Sequence, residues 1–325
     1  MSRAGLLASA LILTLLLSTA SWGLELGDDA PPITADKWLK GEPVDLSAGK
    51  GKHVYILEFW ATWCGPCRES IPDLTRLQKQ HKEKGLVVIG MTSGDDNVEV
   101  AERFVKRMGD RMAYTIAYES KKTRRTADAY MKPFKVVGIP HAFIIDRQGK
   151  LVWQGHPMLG MDAVVERVLE GESDIKKLQE VGKAAMAAKV KLFEERQEAL
   201  EAYFELVGEA DRLEASKQAG EKLLRLFGDD LGMHVQLADG ILSNDDVKTR
   251  DVELALAAAA RANELSDGID PGVLTLYALA QFTSGQVDKA VETQKKVVEL
   301  LDGEKEPLRA AHKALARYEA ARKKD

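Results

Sequence analysis

Two cysteines separated by two residues, Cys64 and Cys67, offer the clearest chemistry in this 325-residue sequence. They follow an apolar, β-rich run, His53–Phe59, and open a segment whose apolar residues recur at helical spacing. A Cys-x-x-Cys pair between a strand and a helix predicts a dithiol that cycles to a disulfide. The free amide groups at a helix N-terminus favour a thiolate, so we expect Cys64 to be the nucleophile. Cys67 lies one turn further along and is expected to resolve the mixed disulfide.

The same cysteines leave two other interpretations, half of a zinc site or a purely structural disulfide. Zinc would need two further ligands, and the sequence supplies no paired His or Cys at ligand spacing. A total of 2 Cys also excludes a disulfide framework and a cysteine-ligated iron–sulfur cluster. We therefore expect no metal, and no cofactor beyond the redox-active Cys64–Cys67 pair.

Length and composition limit the class of protein. A chain of 325 residues corresponds to about two domains. With 45% hydrophobic and 30% charged residues, the chain is ordinary for a globular protein, which excludes wholesale disorder. The formal net charge of −5 provides no basic footprint, so nucleic acid is not the expected partner.

The N-terminus has the layout of a secretory signal peptide, which we assign to residues 1–23. Arg3 supplies positive charge, an uncharged Leu- and Ala-rich run spans Leu6 to Leu17, and small residues follow. Cleavage after Ala20 and cleavage after Gly23 both fit. An uncleaved anchor is the alternative, but the run is shorter than the roughly 20 residues of a membrane span. We therefore expect an extracytoplasmic and specifically periplasmic protein, in a compartment where disulfides form.

Residues 24–171 alternate strand-like and helix-like segments. Buried strands are predicted at His53–Phe59 and Leu86–Met91, with a helix after each. The segment ends with two short strands around a turn that contains Gly149, followed by a closing helix. This order predicts an α/β domain with a mixed sheet.

Residues 172–325 contain no strand-like run and are rich in Ala, Leu, Glu and Lys, which predicts an all-α domain. Its first helix is expected over Asp174–Val207, with a break near Gly182. Ala219, Ala255 and Ala290 lie in similar helices, 36 and 35 residues apart. Because tetratricopeptide repeats have a period of about 34 residues, we predict degenerate tetratricopeptide-like helix pairs. An unrelated helical bundle remains the alternative.

The Phe59–Cys67 sequence, FWATWCGPC, resembles the active site of the thioredoxin superfamily. Together with Val137–Asp146 (VGIPHAFIID) and the signal peptide, it is similar to the TlpA-like extracytoplasmic thiol–disulfide oxidoreductases. The resemblance covers about Leu26 to Gly171. It implies a thioredoxin-like fold, in which helices flank a mixed central sheet.

The resemblance also implies roles for residues outside the cysteine pair. Pro140 matches the cis-proline that faces the cysteines and presents the backbone of Ile139 to an extended substrate. Trp63 matches an aromatic residue that shields the disulfide and offers a docking surface. His141 follows the cis-proline and is expected near the nucleophile. An ordinary trans proline and an uninvolved loop histidine are the alternatives.

Glu58 matches the buried acid that lies six residues before the nucleophile in thioredoxins. Burial raises the pKa of a carboxyl group, so Glu58 is expected to accept the proton of Cys67 through water. The alternative is a glutamate at the strand end that reaches solvent. The lysine that pairs with this acid in thioredoxins has no counterpart in the second strand, LVVIGMT.

Two functions of different classes fit the sequence. The first is a thiol–disulfide oxidoreductase that exchanges disulfides with client proteins. The Gly-Pro dipeptide between the cysteines favours a reductase by resemblance, and such an enzyme requires a membrane thiol electron donor. The second is a helical-repeat scaffold that uses the thioredoxin-like domain as a binding platform. In either case the helical domain offers a surface for a protein partner. A peroxidase is a weaker third possibility, because its usual Thr-x-x-Cys setting is missing.

Overall fold

The computed structural model describes residues 23–208, 213–247, 250–301 and 305–322. These residues form two compact units, Met1–Lys189 and Val190–Asp325. Residues 1–22 of the predicted signal peptide lie outside the described residues. Among the described residues, no helix is long and apolar enough to cross a membrane. The predicted domain limit at residue 171 stays a prediction.

The first unit is built on one six-stranded mixed sheet. Its strands are β1 (Lys37–Lys40), β2 (Val54–Trp60), β3 (Leu86–Thr92), β4 (Thr115–Tyr118), β5 (His141–Ile145) and β6 (Leu151–Gly155). The spatial order is β1-β4-β3-β2-β5-β6. Strands β2, β3 and β4 are parallel, and the other neighbours are antiparallel. The central strand β2 is buried along its whole length, as expected for a strand covered on both faces.

The parallel strands place two helices over one face of the sheet. The helices of this unit are α1 (Gly65–His81), α2 (Val98–Met108), α3 (Arg125–Met131) and α4 (Met161–Leu169). Because parallel crossovers are right-handed, the successive steps β2–α1–β3 and β3–α2–β4 bring α1 and α2 to the same face. The side chain of Gln78 on α1 bonds the backbone of β3, and Phe104 on α2 packs on Trp60 of β2.

The opposite face of the sheet carries an aromatic core. Phe59, which alternates with Trp60 along β2, packs with Tyr130 of α3 and Phe143 of β5. The hydroxyl of Tyr130 donates to the carbonyl of Pro31 at 2.6 Å, which ties the N-terminal segment to this face. The mixed sheet with helices on both faces confirms the predicted thioredoxin-like fold class.

Helix α5 (Ile175–Gly208) begins in the first unit and runs without interruption, so the expected break near Gly182 is wrong. A Cβ atom at position 182 would lie 3.0 Å from Nε1 of Trp153 and 3.2 Å from Cγ2 of Val164. The glycine therefore allows close packing on β6 and α4. This packing offsets its cost of about 1 kcal/mol relative to alanine inside a helix.

The second unit contains only helices among its described residues. They are the C-terminal part of α5, followed by α6 (Leu213–Phe227), α7 (Leu231–Ser243), α8 (Val252–Leu265), α9 (Pro271–Thr283), α10 (Val287–Leu300) and α11 (Lys305–Arg322). Helices α7, α8 and α9 each begin at an aspartate whose side chain accepts from a backbone N–H of the first turn: Asp230, Asp251 and Asp270. Such caps stabilise a helix by about 1 kcal/mol each. The predicted all-α character is confirmed.

The alanines that suggested a repeat face the helical core. Ala255 and Ala290 are fully buried, and Ala219 packs against the same core as Ala255. The pair α9 and α10 matches the helix–turn–helix expected over residues 272–300. Whether these helices are tetratricopeptide repeats stays a prediction.

Candidate active site

Cys64 and Cys67 form a disulfide at the N-terminus of α1. Cys64 is the N-cap residue, and its Sγ accepts from the backbone N–H of Cys67 at 3.3 Å. Cys64 is 5% exposed, whereas Cys67 is fully buried. Both the amide contact and the helix dipole stabilise negative charge on the Cys64 sulfur after reduction. Cys64 is therefore the cysteine of the pair that an external thiol or disulfide can reach.

The turn before Cys64 is held by a buried aspartate that the sequence analysis missed. Asp95 is 1% exposed, and its carboxylate accepts from the backbone N–H of Thr62 at 3.2 Å and from its hydroxyl at 2.6 Å. Thr92, the last residue of β3, also donates its hydroxyl to Asp95. Because β2 and β3 are parallel, their carboxyl ends meet at one edge of the sheet. The polar run that begins with the last residue of β3, TSGDD, is the signal that could have indicated this contact.

Trp63 lies on the surface beside the disulfide. Its side chain is 66% exposed, although its indole N–H donates to the carbonyl of Gly94 at 3.0 Å. This hydrogen bond fixes one end of the ring, while the rest of the ring stays in solvent. Trp63 therefore presents an oriented apolar surface next to Cys64.

The loop before β5 approaches the disulfide from the other side. The Ile139–Pro140 peptide bond is cis. The carbonyl oxygen of Ile139 lies 3.7 Å from Sγ of Cys64, and this is a contact without a hydrogen bond, because a disulfide sulfur carries no proton. Val137, two residues earlier, is fully exposed. The loop thus places the backbone carbonyl of Ile139 at the disulfide.

Glu58 lies in the interior of β2 rather than at a solvent-exposed strand end. It is 1% exposed, and neither carboxyl oxygen has a hydrogen-bond partner among the described residues. Burial raises the pKa of this carboxyl from 4.5 to about 8. The geometry thus provides an acid whose pKa is close to the usual value of a cysteine thiol, about 8.5.

His141 is the first residue of β5, directly after the cis-proline. Its Nε2 lies 2.6 Å from Oε1 of Gln154 on β6, a partner that the sequence did not indicate. Burial lowers the pKa of His141, partly offset by the hydrogen bond to Gln154. The imidazole is therefore held in place and disfavoured as a cation, so its expected effect on the nucleophile stays a prediction.

Together these observations define a thioredoxin-fold redox protein. A disulfide caps the first helix after the central strand, a cis-proline loop contacts the outer sulfur, and a buried acid lies in the strand before it. Among the described residues, no group of three or more His, Cys, Asp or Glu side chains is placed to hold a metal ion.

Comparison with known proteins identifies the family. The family model described as Redoxin matches residues 25–169. The chain is 30% identical over 129 residues to the thiol–disulfide oxidoreductase ResA of Bacillus thuringiensis subsp. konkukian (strain 97-27), covering 40% of this chain and 68% of that protein. It is 34% identical over 128 residues to the thioredoxin-like protein YneN of Bacillus subtilis (strain 168), covering 39% and 69%. The chain belongs to the ResA/TlpA-like family of thiol–disulfide oxidoreductases.

A solved structure with similar sequence is that of a thiol:disulfide interchange protein DsbE from Chlorobium tepidum. It is 30% identical, covers 45% of this chain and 96% of its own, and has a TM-score of 0.35. The matched region of the family model ends at residue 169. The second unit lies outside that region.

Proposed function

We propose that the protein is an extracytoplasmic protein-disulfide reductase that acts by dithiol–disulfide exchange at Cys64 and Cys67. The observation that carries this proposal is the disulfide at the N-terminus of α1, beside the Ile139 backbone and the exposed ring of the adjacent Trp63. The Gly-Pro dipeptide between the cysteines supports the reducing direction, by resemblance to thioredoxin.

The first step is attack by the Cys64 thiolate on a client disulfide. A bond forms between Cys64 Sγ and one client sulfur, while the other client sulfur leaves as a thiolate. The position of Cys64 at the helix N-terminus favours the thiolate. The Cys67 N–H, which points at this sulfur, gives the charge a local hydrogen-bond donor.

The second step releases the client and restores the Cys64–Cys67 disulfide. The Cys67 thiol gives its proton to the carboxylate of Glu58, and the resulting thiolate attacks Sγ of Cys64. The remaining client sulfur leaves as a thiolate. A pKa of about 8 suits this role, because proton transfer between groups of similar pKa is nearly balanced in free energy.

The surface around the disulfide suits an extended client segment. Trp63, next to Cys64 in the chain, offers exposed apolar area, and the loop across the disulfide offers the backbone of Ile139. A client chain pairs with this backbone like an added strand, which brings its disulfide to Cys64. We also assign His141, the residue after the cis-proline, to the lining of this surface.

The remaining parts of the proposal concern electrons and location. The two electrons are stored as the dithiol, so the exchange requires no metal or cofactor. A dithiol donor in the membrane restores the reduced form, and the N-terminal 1–23 segment directs export. The helical unit holds a protein partner, because stacked helices provide an extended surface.

Trapping of clients tests the exchange reaction. In Cys67→Ala, the mixed disulfide on Cys64 has no resolving thiolate and should persist. Non-reducing gels of the extracytoplasmic fraction should show adducts that collapse with reductant, and Cys64→Ala, the matched control, should show none. A folded and exported Cys67→Ala protein without adducts would support the scaffold alternative instead.

A further inference from the structure

Three buried polar side chains on the α1- and α2-covered face of the sheet lack hydrogen-bond partners among the described residues. They contribute both carboxyl oxygens of Glu58, Nε1 of Trp60 and the hydroxyl of Tyr114. Buried polar groups are nearly always paired, so each unpaired one needs an explanation. The proposed function uses Glu58 and leaves the other two unassigned.

Gly90 brings these side chains together. It is the register partner of Glu58 on the parallel strand β3. A Cβ atom at position 90 would lie 3.0 Å from the ring of Tyr114 and 3.1 Å from Nε1 of Trp60. The two aromatic side chains thus occupy the place beside Glu58 that a residue with a side chain would fill. Trp60 shares the face of Glu58, because it lies two residues further along β2.

Few titratable groups face this cluster. The register partners of Glu58 in the sheet are Gly90 on β3 and Ala142 on β5, neither of which titrates. The buried side chains of α2 are apolar, and those of α4 are apolar as well. Helix α1 contributes Cys67 and, at its far end, His81, whose pKa is lowered chiefly by burial and also by the charge of Lys84. Tyr114 is the titratable group that Glu58 affects: burial raises the pKa of this tyrosine, and the negative charge of Glu58 raises it further.

We propose that Tyr114 is a positioning residue that supports Glu58 in both of its protonation states, with Trp60 as a second donor. A hydroxyl both donates and accepts, so Tyr114 can donate to the carboxylate and accept from the protonated acid. An indole N–H only donates, so Trp60 supports the carboxylate alone. This inference rests on the proposed function, in which Glu58 takes the proton of Cys67.

The two groups share no direct hydrogen bond in the described structure, so the proposed contact runs through one bridging water molecule. Without the Tyr114 hydroxyl, the carboxylate of Glu58 loses a donor and becomes harder to form. A rise of one pKa unit reduces the ionised fraction about tenfold at pH values below the pKa. Resolution of the mixed disulfide should slow by the same factor near neutral pH.

The experiment compares Tyr114→Phe with wild type in the full chain. The titration of Glu58 is followed by infrared difference spectroscopy, with its carboxyl band assigned by its loss in Glu58→Gln. Resolution is followed as release of thionitrobenzoate from its adduct on Cys64 after attack by Cys67. Tyr130→Phe is the matched control, because it removes a buried hydroxyl from the opposite face of the same sheet.

We expect Tyr114→Phe to raise the pKa of Glu58 by about one unit and to slow release about tenfold near neutral pH, with no change in Tyr130→Phe. An unchanged titration in Tyr114→Phe, or an equal shift in Tyr130→Phe, would overturn the inference. If Tyr114→Phe does not fold, Trp60→Phe should still raise the pKa of Glu58. An unshifted pKa of Glu58 in that variant would refute the proposed support of the acid by its aromatic neighbours.

The failure of the inference can be told from failure of the proposed function. If Cys67→Ala traps clients but Glu58→Gln releases thionitrobenzoate at the wild-type rate, exchange stands, and the proton role of Glu58 is wrong. The inference about Tyr114 falls with that role. If Cys67→Ala traps nothing, the exchange function itself fails.

Discussion

Replacing Glu58 with glutamine should stabilise the oxidised protein at alkaline pH. The wild-type carboxyl is buried with no direct hydrogen-bond partner among the described residues, and burial raises its pKa from 4.5 to about 8. Between these two values the folded state binds more protons than the unfolded state, so stability falls as pH rises. The stability that the protonated Glu58 carboxyl contributes is fully present below about pH 4.5 and is lost as pH rises through about 8. Glutamine has nearly the same shape and carries no charge at any of these pH values.

The magnitude follows from the pKa difference. A shift from 4.5 to about 8 corresponds to about 5 kcal/mol of unfolding free energy, since each pKa unit is about 1.4 kcal/mol. Integrating the linkage relation, the advantage of Glu58→Gln should grow by about 4 kcal/mol between about pH 5 and about pH 9. At the acidic end the two proteins should be nearly equal, because a buried amide replaces a buried neutral acid.

Urea unfolding monitored by tryptophan fluorescence measures this difference in the unfolding free energy of the first structural unit. The four tryptophans among the described residues all lie within Met1–Lys189. The matched control is Glu119→Gln, because Glu119 is also buried but accepts from the backbone N–H groups of Thr126 and Ala127. Losing one of these acceptors should destabilise the unit by about 1–3 kcal/mol.

A pH-independent difference between wild type and Glu58→Gln would refute this reasoning. It would mean that the carboxyl ionises in the folded state as easily as in the unfolded chain. Such a result would also remove the physical basis for Glu58 as the proton acceptor of Cys67.

Two further predictions concern the anchoring of the active-site turn and the direction of electron flow. Asp95→Asn should destabilise the first unit by about 1–3 kcal/mol and slow exchange, because it weakens the hydrogen bonds to Thr62. The control Asp96→Asn disrupts one exposed ion pair and should cost at most about 1 kcal/mol. Equal unfolding free energies of the two variants would contradict the role of the buried carboxylate. The Cys64–Cys67 pair, equilibrated with glutathione, should have a potential near −270 mV, about that of thioredoxin, and a value near −120 mV, about that of a strong oxidant, would reverse the proposed direction.

Much of the site was predictable because its signals are local. The strand–Cys-x-x-Cys–helix order indicates which cysteine caps α1, and the structure places Cys64 there. The segment before β5 identified Pro140, whose peptide bond is cis in the structure. The alternation of strands and helices indicated a mixed sheet, and the Ala- and Leu-rich second half indicated helices.

The contacts that tune the site were not predictable, because they join segments far apart in the chain. Asp95 reaches Thr62 across 33 residues, and this contact exists because β2 and β3 are parallel neighbours. The unbroken course of α5 through Gly182 was also missed, since the packing of Trp153 on that glycine is invisible in a local pattern.

The sequence by itself therefore determined the reactive pair, the order of the elements and the class of fold. Those properties follow from hydrophobic periodicity and from the local chemistry of helix ends. Tertiary structure decided the environment of Glu58. Strand register sets Gly90 opposite Glu58, and the absence of a side chain there admits Tyr114 and Trp60 beside the acid. The pKa of a buried acid depends on which groups surround it in space, and only the folded sheet brings those groups together.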